Sequence, residues 1–237
     1  MLEATIHVPA MKNILKALEN ISEEAIFNFS PDGFLIRTVC VNRFKLLEIK
    51  ASPEAFKEYR CDESHQLGVV IARMKDITKT LTTKDELKVV YDGERLMLIA
   101  NGITRTIKLL RLEYMNDIDS LPEYDFNYHL KSPSKALRDF LKTLDKTVMF
   151  DVIVSEDGIK WASKHEDEPV CWTPLLTEDS NIGTPSETSY TTSEVLSGVV
   201  ATNREEIMIQ GGEEVPLYFT WEPHEGVNMT SIVAHRM

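Results

Sequence analysis

Asp62, Glu63 and His65 place two carboxylates and an imidazole side by side, the side-chain types a divalent cation or a hydrolytic water requires. Their irregular spacing suits a surface loop better than one face of a helix or strand. His7, His129, His165, His224 and His235 are scattered, without the His-x-x-x-His pair that zinc enzymes use. Glu166, Asp167 and Glu168 read as a solvated turn. Cys40, Cys61 and Cys171 are odd in number, far apart and lack a Cys-x-x-Cys spacing, so reduced structural thiols are expected. There is no Gly-x-x-x-x-Gly-Lys loop for phosphate and no Gly-x-Ser-x-Gly elbow for a nucleophile. The residues point away from an enzyme, and neither a metal nor a cofactor is expected.

What remains is charge and its placement. A net charge of -12 opposes nucleic-acid binding if evenly spread, because phosphate neutralisation is the main source of such affinity. The cations are not evenly spread. Lys12 and Lys16 lie four apart in a segment where Met11, Ile14, Leu15, Leu18 and Ile21 keep a helical period after Pro9, predicting a helix over 9–20. Lys75 and Lys79 repeat that spacing in a helix predicted over 71–81 on Met74, Ile77 and Leu81. Lys135, Arg138 and Lys142 form a stripe at i, i+3 and i+7, opposite Leu137, Phe140, Leu141 and Leu144, in a helix opened by Pro133. An amphipathic helix turns charge to solvent in any case. Three basic faces in an acidic chain nevertheless predict one positive surface built from helices, with the acids elsewhere. A fourth helix within 191–203, on Val195, Leu196, Val199 and Val200, carries Glu194 and no cation before Arg204, so weak or absent contact with DNA is expected there. No recognition helix or aromatic-interleaved basic motif occurs, so sequence-specific readout is not indicated.

These helices need a scaffold, and the segments between them read as strands: 25–30 and 34–38 around a Pro31-Asp32-Gly33 turn, then 45–51, 56–62, 87–91, 95–100 and 104–112. The pattern then restarts. Ser30-Pro31-Asp32-Gly33 recurs as Ser155-Glu156-Asp157-Gly158, and the helix-opening prolines recur at nearly the same interval (9 and 133, against 33 and 158). Strands over 148–154 and 159–162 follow the third helix. The fourth is followed by 206–210, a Gly211-Gly212 turn and 216–221. Helix-then-strands thus runs twice in each half, predicting an α+β chain of two similar domains, 1–113 and 127–237. The linker between them, 114–126, holds Asp117, Asp119, Glu123 and Asp125, and 177–189 reads as an exposed loop. The first residues lack a basic, then apolar, leader, and no apolar run approaches the roughly 18 residues of a membrane helix. An intracellular, soluble protein without a membrane partner is expected.

The segment Phe56-Lys57-Glu58-Tyr59-Arg60-Cys61-Asp62, with Leu67-Gly68-Val69 and the helix at Met74 after it, resembles the Tyr-Arg-Cys-Asp strand and following helix of the proliferating cell nuclear antigen family. Glu3-Ala4, the two Asp-Gly hairpins, Leu121-Pro122-Glu123, Val215-Pro216-Leu217 and Ile232-Val233-Ala234 match in order along essentially the whole chain. The resemblance implies a DNA-clamp fold: antiparallel sheets outside and two helices per domain lining the hole of a pseudo-six-fold trimeric ring around duplex DNA, twelve helices in all. It implies that Lys12, Lys16, Lys75, Lys79, Lys135, Arg138 and Lys142 face that hole. It further implies an apolar pocket of Val39, Leu46, Ile118, Leu121, Pro122, Pro216, Val233 and Ala234. This pocket takes Gln-x-x-aliphatic-x-x-aromatic-aromatic motifs from DNA polymerase, flap nuclease and ligase, and the clamp loader also docks through a short peptide motif. Arg105, Ile107 and Leu109, on a strand running to Leu112, would pair across the subunit boundary with Val170, Trp172 and Pro174.

Two departures stand out. Cys40 occupies a position where relatives usually carry Asp, which bears on partner preference. Pro174 cannot donate to a ladder, so it either faces the non-bonding side or weakens ring closure. Such a protein is a DNA-associated processivity factor, in the nucleoid of an archaeon or the nucleus of a eukaryote, with no cofactor and no catalysis. A subunit of a heterotrimeric or checkpoint-type clamp, or a monomeric viral or plasmid decoy clamp, would share the fold.

Overall fold

The computed structural model describes residues 1–164, 169–202 and 205–236. The acidic run Glu166 to Glu168, with His165, and the cation Arg204 lie outside the described residues. In chain order come β1 (Leu2–His7), α1 (Val8–Leu18), β2 (Glu24–Ser30), β3 (Gly33–Val39), β4 (Lys45–Ala51), β5 (Glu58–Cys61), β6 (His65–Val70), α2 (Ile71–Thr78), β7 (Glu86–Tyr91), β8 (Leu96–Ala100) and β9 (Ile103–Ile107). Then follow β10 (Tyr128–Pro133), α3 (Ser134–Thr143), β11 (Met149–Ser155), β12 (Gly158–Ser163), β13 (Cys171–Trp172), β14 (Asn181–Ile182), β15 (Ser186–Thr191), α4 (Thr192–Gly198), β16 (Glu206–Gly212), β17 (Val215–His224) and β18 (Val227–Val233).

These elements form two compact units: residues 1–41, 47–120 and 222–229 in the first, and 42–46, 121–221 and 230–237 in the second. In unit 1 strands run β5-β1-β7-β8-β9 and β4-β3-β2-β6; in unit 2 they run β14-β10-β16-β17 and β13-β12-β11-β15. The order β4-β3-β2-β6 is copied as β13-β12-β11-β15, and β1-β7-β8 as β10-β16-β17. The internal repeat is therefore one of sheet topology as well as of turns. At its clearest, Ser30 pairs with Gly33 and Ser155 with Gly158, with φ +128° and +134° at the two glycines. A Cβ on Gly33 would stand 2.4 Å from the Ala51 carbonyl oxygen, so clearance as well as backbone angle demands glycine. Tyr59 Oη lies 2.7 Å from both the Ser30 and Gly33 carbonyl oxygens and pins the hairpin, and burial pushes its pKa up.

Each helix forms where its apolar stripe has a sheet to cover. α1 buries Met11, Ile14, Leu15 and Leu18, with Pro9 in its first turn, where a missing N–H is harmless. α3 buries Leu137, Phe140 and Leu141. Beneath α3 the unit 2 core is aromatic. Trp161 is fully buried and stacks on Phe150 at 5.2 Å, while Phe140 stacks on Trp172 at 5.7 Å.

Several expectations need correction. α2 ends at Thr78 and α4 at Gly198, earlier than predicted, although Leu81 and Val199 beyond them are still buried. Past each helix the backbone goes on in i→i−3 turns, Leu81 N–H to the Thr78 carbonyl and Val200 N–H to that of Ser197, so the apolar period outlasts the α-helix. Pro133 stands at the N-cap of α3, opening the helix as expected, and is also the last residue of β10. Gly211-Gly212 is no turn: β16 runs through both, with a register irregularity between Gln210 and Gly212, and Glu214 takes the positive φ of 54°. The need at Gly211 is space, since a Cβ there would meet Tyr128 Oη at 2.4 Å. The expected loop 177–189 is loop only in part, because β15 pairs with β11 along its length. Thr188 and Tyr190 are buried there, with hydroxyls donating to the Gly212 and Val215 carbonyls at 3.0 and 2.7 Å. Their hydroxyls disguised a strand as a loop.

Candidate nucleic-acid interface and linker surface

On α1 and α2 of unit 1 the expected cations are present but accompanied. Lys12 is half-buried, and its Nζ donates to the Leu81 carbonyl at 2.7 Å, so it caps the chain after α2 instead of standing free. Lys16 is exposed. Lys75 pairs with Glu19 across the two helices, and Lys79 Nζ sits 2.9 Å from Asp76 Oδ1. That hydrogen bond, reinforced by the charge of Lys79, holds the Asp76 carboxyl below its ordinary value. Arg73, exposed on α2, adds a cation that the i, i+4 pattern passed over.

In unit 2 Lys135 pairs with Asp139 and lowers its pKa, and Lys142 is exposed. Arg138 corrects the expectation of a surface site: it is half-buried and donates to the Thr202 carbonyl at 2.7 Å. On α4, Glu194 takes Lys45 at 2.9 Å, leaving that helix without a cation of its own. The acids at i+3 and i+4, Asp76 before Lys79 and Asp139 after Lys135, were legible in the sequence, but counting only cations missed them. Exposed pairs of this kind are weak, so a phosphate can displace the carboxylate.

The expected partner-motif residues divide between the units. In unit 1, Val39 ends β3 half-exposed and Ile118 is half-buried in the linker, where Arg37 Nη1 reaches the carbonyl oxygens of Ile118 (3.5 Å) and Asp119. In unit 2, Leu46 and Leu121 are half-buried, Pro122 is exposed, and Pro216 and Val233 are buried. The last two therefore form floor and not contact surface. Ala234 N–H donates to the Phe44 carbonyl at 2.8 Å. Sequence reasoning overlooked Tyr218, whose hydroxyl donates to the Pro122 carbonyl while its ring meets Phe126 at 4.8 Å. Burial, with the neighbouring Tyr124 and Glu123, pushes the Tyr218 hydroxyl up to about 12, so it remains a donor throughout the neutral range. Cys40 is buried, and Val41 next to it is fully exposed.

The two edge strands differ from expectation. β9 is the free edge of its sheet and stops at Ile107. Leu109 lies beyond it because the chain leaves the edge to bond Leu110 N–H to the Gly68 carbonyl at 2.8 Å. Ile107 is buried in its own unit, and Arg105 is tied to Asp76 at 3.5 Å. β13 is an edge of only two residues, Cys171 and Trp172. Val170 precedes it, and Pro174 follows it, buried, so the proline breaks no bond of the ladder.

Asp62, Glu63 and His65 do not converge. Asp62 lies 3.6 Å from Arg60 and 4.0 Å from the N-terminal amine, whereas His65 heads β6 and packs edge-on against Tyr91 at 5.2 Å. Among the described residues no three His, Cys, Asp or Glu side chains gather to hold a metal, and no helix is long and apolar enough to cross a membrane. Burial raises the pKa of the Cys61 thiol, Cys40 is buried, and Cys171 is exposed. A thiol reagent at neutral pH is accordingly expected to label Cys171 fast and the other two only on unfolding. Rapid labelling of two thiols in the native protein would contradict this placement.

The model of the proliferating cell nuclear antigen N-terminal domain matches residues 1–120. Curated relatives include a DNA polymerase sliding clamp of Methanococcoides burtonii, 23% identical with 92% of this chain and 90% of the relative covered, and one of Thermoplasma acidophilum, 22% identical with 100% and 99% covered. Among solved structures, A. fulgidus PCNA bound to the C-terminal region of FEN-1 superimposes with a TM-score of 0.90 at 18% identity, covering 100% of this chain and 99% of that one. The PCNA2–PCNA3 complex of Sulfolobus tokodaii gives 0.85 at 18%, with 99% of each chain covered. At such identity these structures establish the fold, the α+β DNA-clamp architecture read from the sequence. A family model spanning more than half of the residues, and relatives aligned end to end, settle the lineage: the chain belongs to the proliferating cell nuclear antigen family.

Proposed function

We propose that this protein is a DNA sliding clamp, a non-catalytic processivity factor that encircles duplex DNA as a ring of three subunits and tethers replication and repair enzymes. The observation that carries the reading is the duplicated topology, in which each unit sets two helices against its sheets and three of the four helices carry cations on an exposed face. Contacts with DNA are to phosphates and not to bases, because lysines on helix surfaces offer charge without a fixed hydrogen-bonding pattern. Domains 1–113 and 127–237 would each supply two helices to the hole, joined by the linker 114–126. The residues that the resemblance assigns to a partner motif of polymerase, flap nuclease or ligase would be Val39 and Ile118 in the first unit and Leu46, Leu121 and Ala234 in the second. Its place is with DNA in the replication machinery, and loading would fall to a separate ATP-driven loader.

Subunits would join by β9 of one copy meeting β13 of the next. The expected mass by light scattering is three times 27.0 kDa, or about 81 kDa, across a concentration series at moderate salt. A constant 27 kDa would refute a self-sufficient ring. It would favour the second reading, a mixed-subunit clamp, for which the two-residue β13 edge is the specific support.

A further inference from the structure

From Met115 to Asn127 the chain has no regular secondary structure, and its start is held by side chains. Arg37 on β3 donates through Nη1 to the carbonyl oxygens of Ile118 and Asp119, and Gln66 Nε2 reaches Asp117 Oδ2 at 3.3 Å. Arg37 is itself fixed: its Nε donates to Glu48 Oε2 at 2.7 Å, and the Glu48 side chain is only 5% exposed. The other oxygen, Oε1, takes Lys50 Nζ at 2.8 Å, so the carboxylate is fixed from two sides and offers Oε2 to Arg37 in one orientation. A pocket of about 370 Å³ lies between Asp117–Asp119 and the residues Phe29, Leu35 and His65. Close packing therefore does not seat this part of the linker, and the guanidinium holds it.

We infer that the Arg37–Glu48 pair is a positioning device for partner binding: it presets the first half of the linker, so that a partner motif meets an ordered Ile118. This rests on the sliding-clamp reading, in which Ile118 lines the partner surface. A preset loop spares the ordering cost of association. Losing the anchor should therefore weaken partner binding about tenfold, roughly 1.4 kcal/mol, without altering the contact surface.

The test uses the full chain and a synthetic peptide bearing the Gln-x-x-aliphatic-x-x-aromatic-aromatic pattern, titrated calorimetrically, with amide exchange read over residues 115–120. Arg37→Met alone would leave the buried Glu48 with Lys50 as its one charged partner, so Arg37→Met/Glu48→Leu serves as the folded variant without the anchor. The expected result is about tenfold weaker peptide binding together with faster exchange confined to the linker, and recovery toward wild type in Arg37→Lys. Equal affinity of wild type and the double variant overturns the anchor and leaves the clamp reading standing. Weaker binding with unchanged linker exchange also overturns it, because the loss would then not pass through the linker. If the wild-type chain does not bind the peptide at all, the partner-surface reading fails and the anchor's role fails with it.

Discussion

Changing Lys79, Lys135 and Lys142 to glutamate should shorten polymerase runs about tenfold or more at moderate salt, each lost phosphate contact lowering the salt dependence of binding by about 0.9 in log–log slope. The structure decides which residues to choose. Arg138 is half-buried on the Thr202 carbonyl, so its reversal would mix loss of stability with loss of charge. The three lysines are exposed, and their reversal should leave the melting temperature nearly unchanged. The acids offer the opposite test. Asp76→Asn and Asp139→Asn release Lys79 and Lys135 from their pairs and should lengthen runs. Acidification is a poor substitute. Both carboxyls are held below their ordinary value of 3.8, so their pairing is intact above that value and is lost only as the pH falls through the depressed one. Processivity unchanged in both sets of variants would remove these helices from the DNA path.

Trp161→Ala should destabilise the protein by roughly 3–5 kcal/mol, the cost of a large aromatic cavity in a close-packed core. Trp161 has no exposed surface, and Phe140, Phe150 and Trp172 surround its rings. Its indole Nε1 is buried and finds no acceptor among the described residues, so Trp161→Phe sheds an unsatisfied donor while losing volume and should cost much less than alanine. Trp172, half-exposed on the two-residue β13, should lose less on truncation than Trp161. Thermal and denaturant unfolding would rank the three variants. Equal losses for Trp161→Ala and Trp172→Ala would mean that the cluster is not the core of unit 2.

Much of this fold could be read from residues, but unevenly. The Asp-Gly hairpins and the apolar stripes of α1 and α3 announced themselves, because a turn needing positive φ and a helical period are local signals. β1, β6 and β10 went unread: each is a short strand running directly into a helix, and a ladder partner distant in sequence leaves no local trace. β15 hid behind hydroxyls that find acceptors only in the folded chain. At the candidate site the lysine stripes were visible and the carbonyl-bound roles of Lys12 and Arg138 were not, because Leu81 and Thr202 meet those side chains only through packing. Arg37 and Tyr218 escaped for the same reason. Nothing in their neighbours' identities shows that each grips the backbone of the linker.

The edge position of β9 bears on what the chain can stick to in solution. A lone chain would display a row of unpaired backbone donors and acceptors along Ile-Thr-Arg-Thr-Ile, a template for indiscriminate strand addition. Its defence is built in: the edge is five residues long, Arg105 places a charge at its middle, and the chain then peels away to bond Gly68. An edge kept short and charged in this way is a poor template for strand addition by other chains.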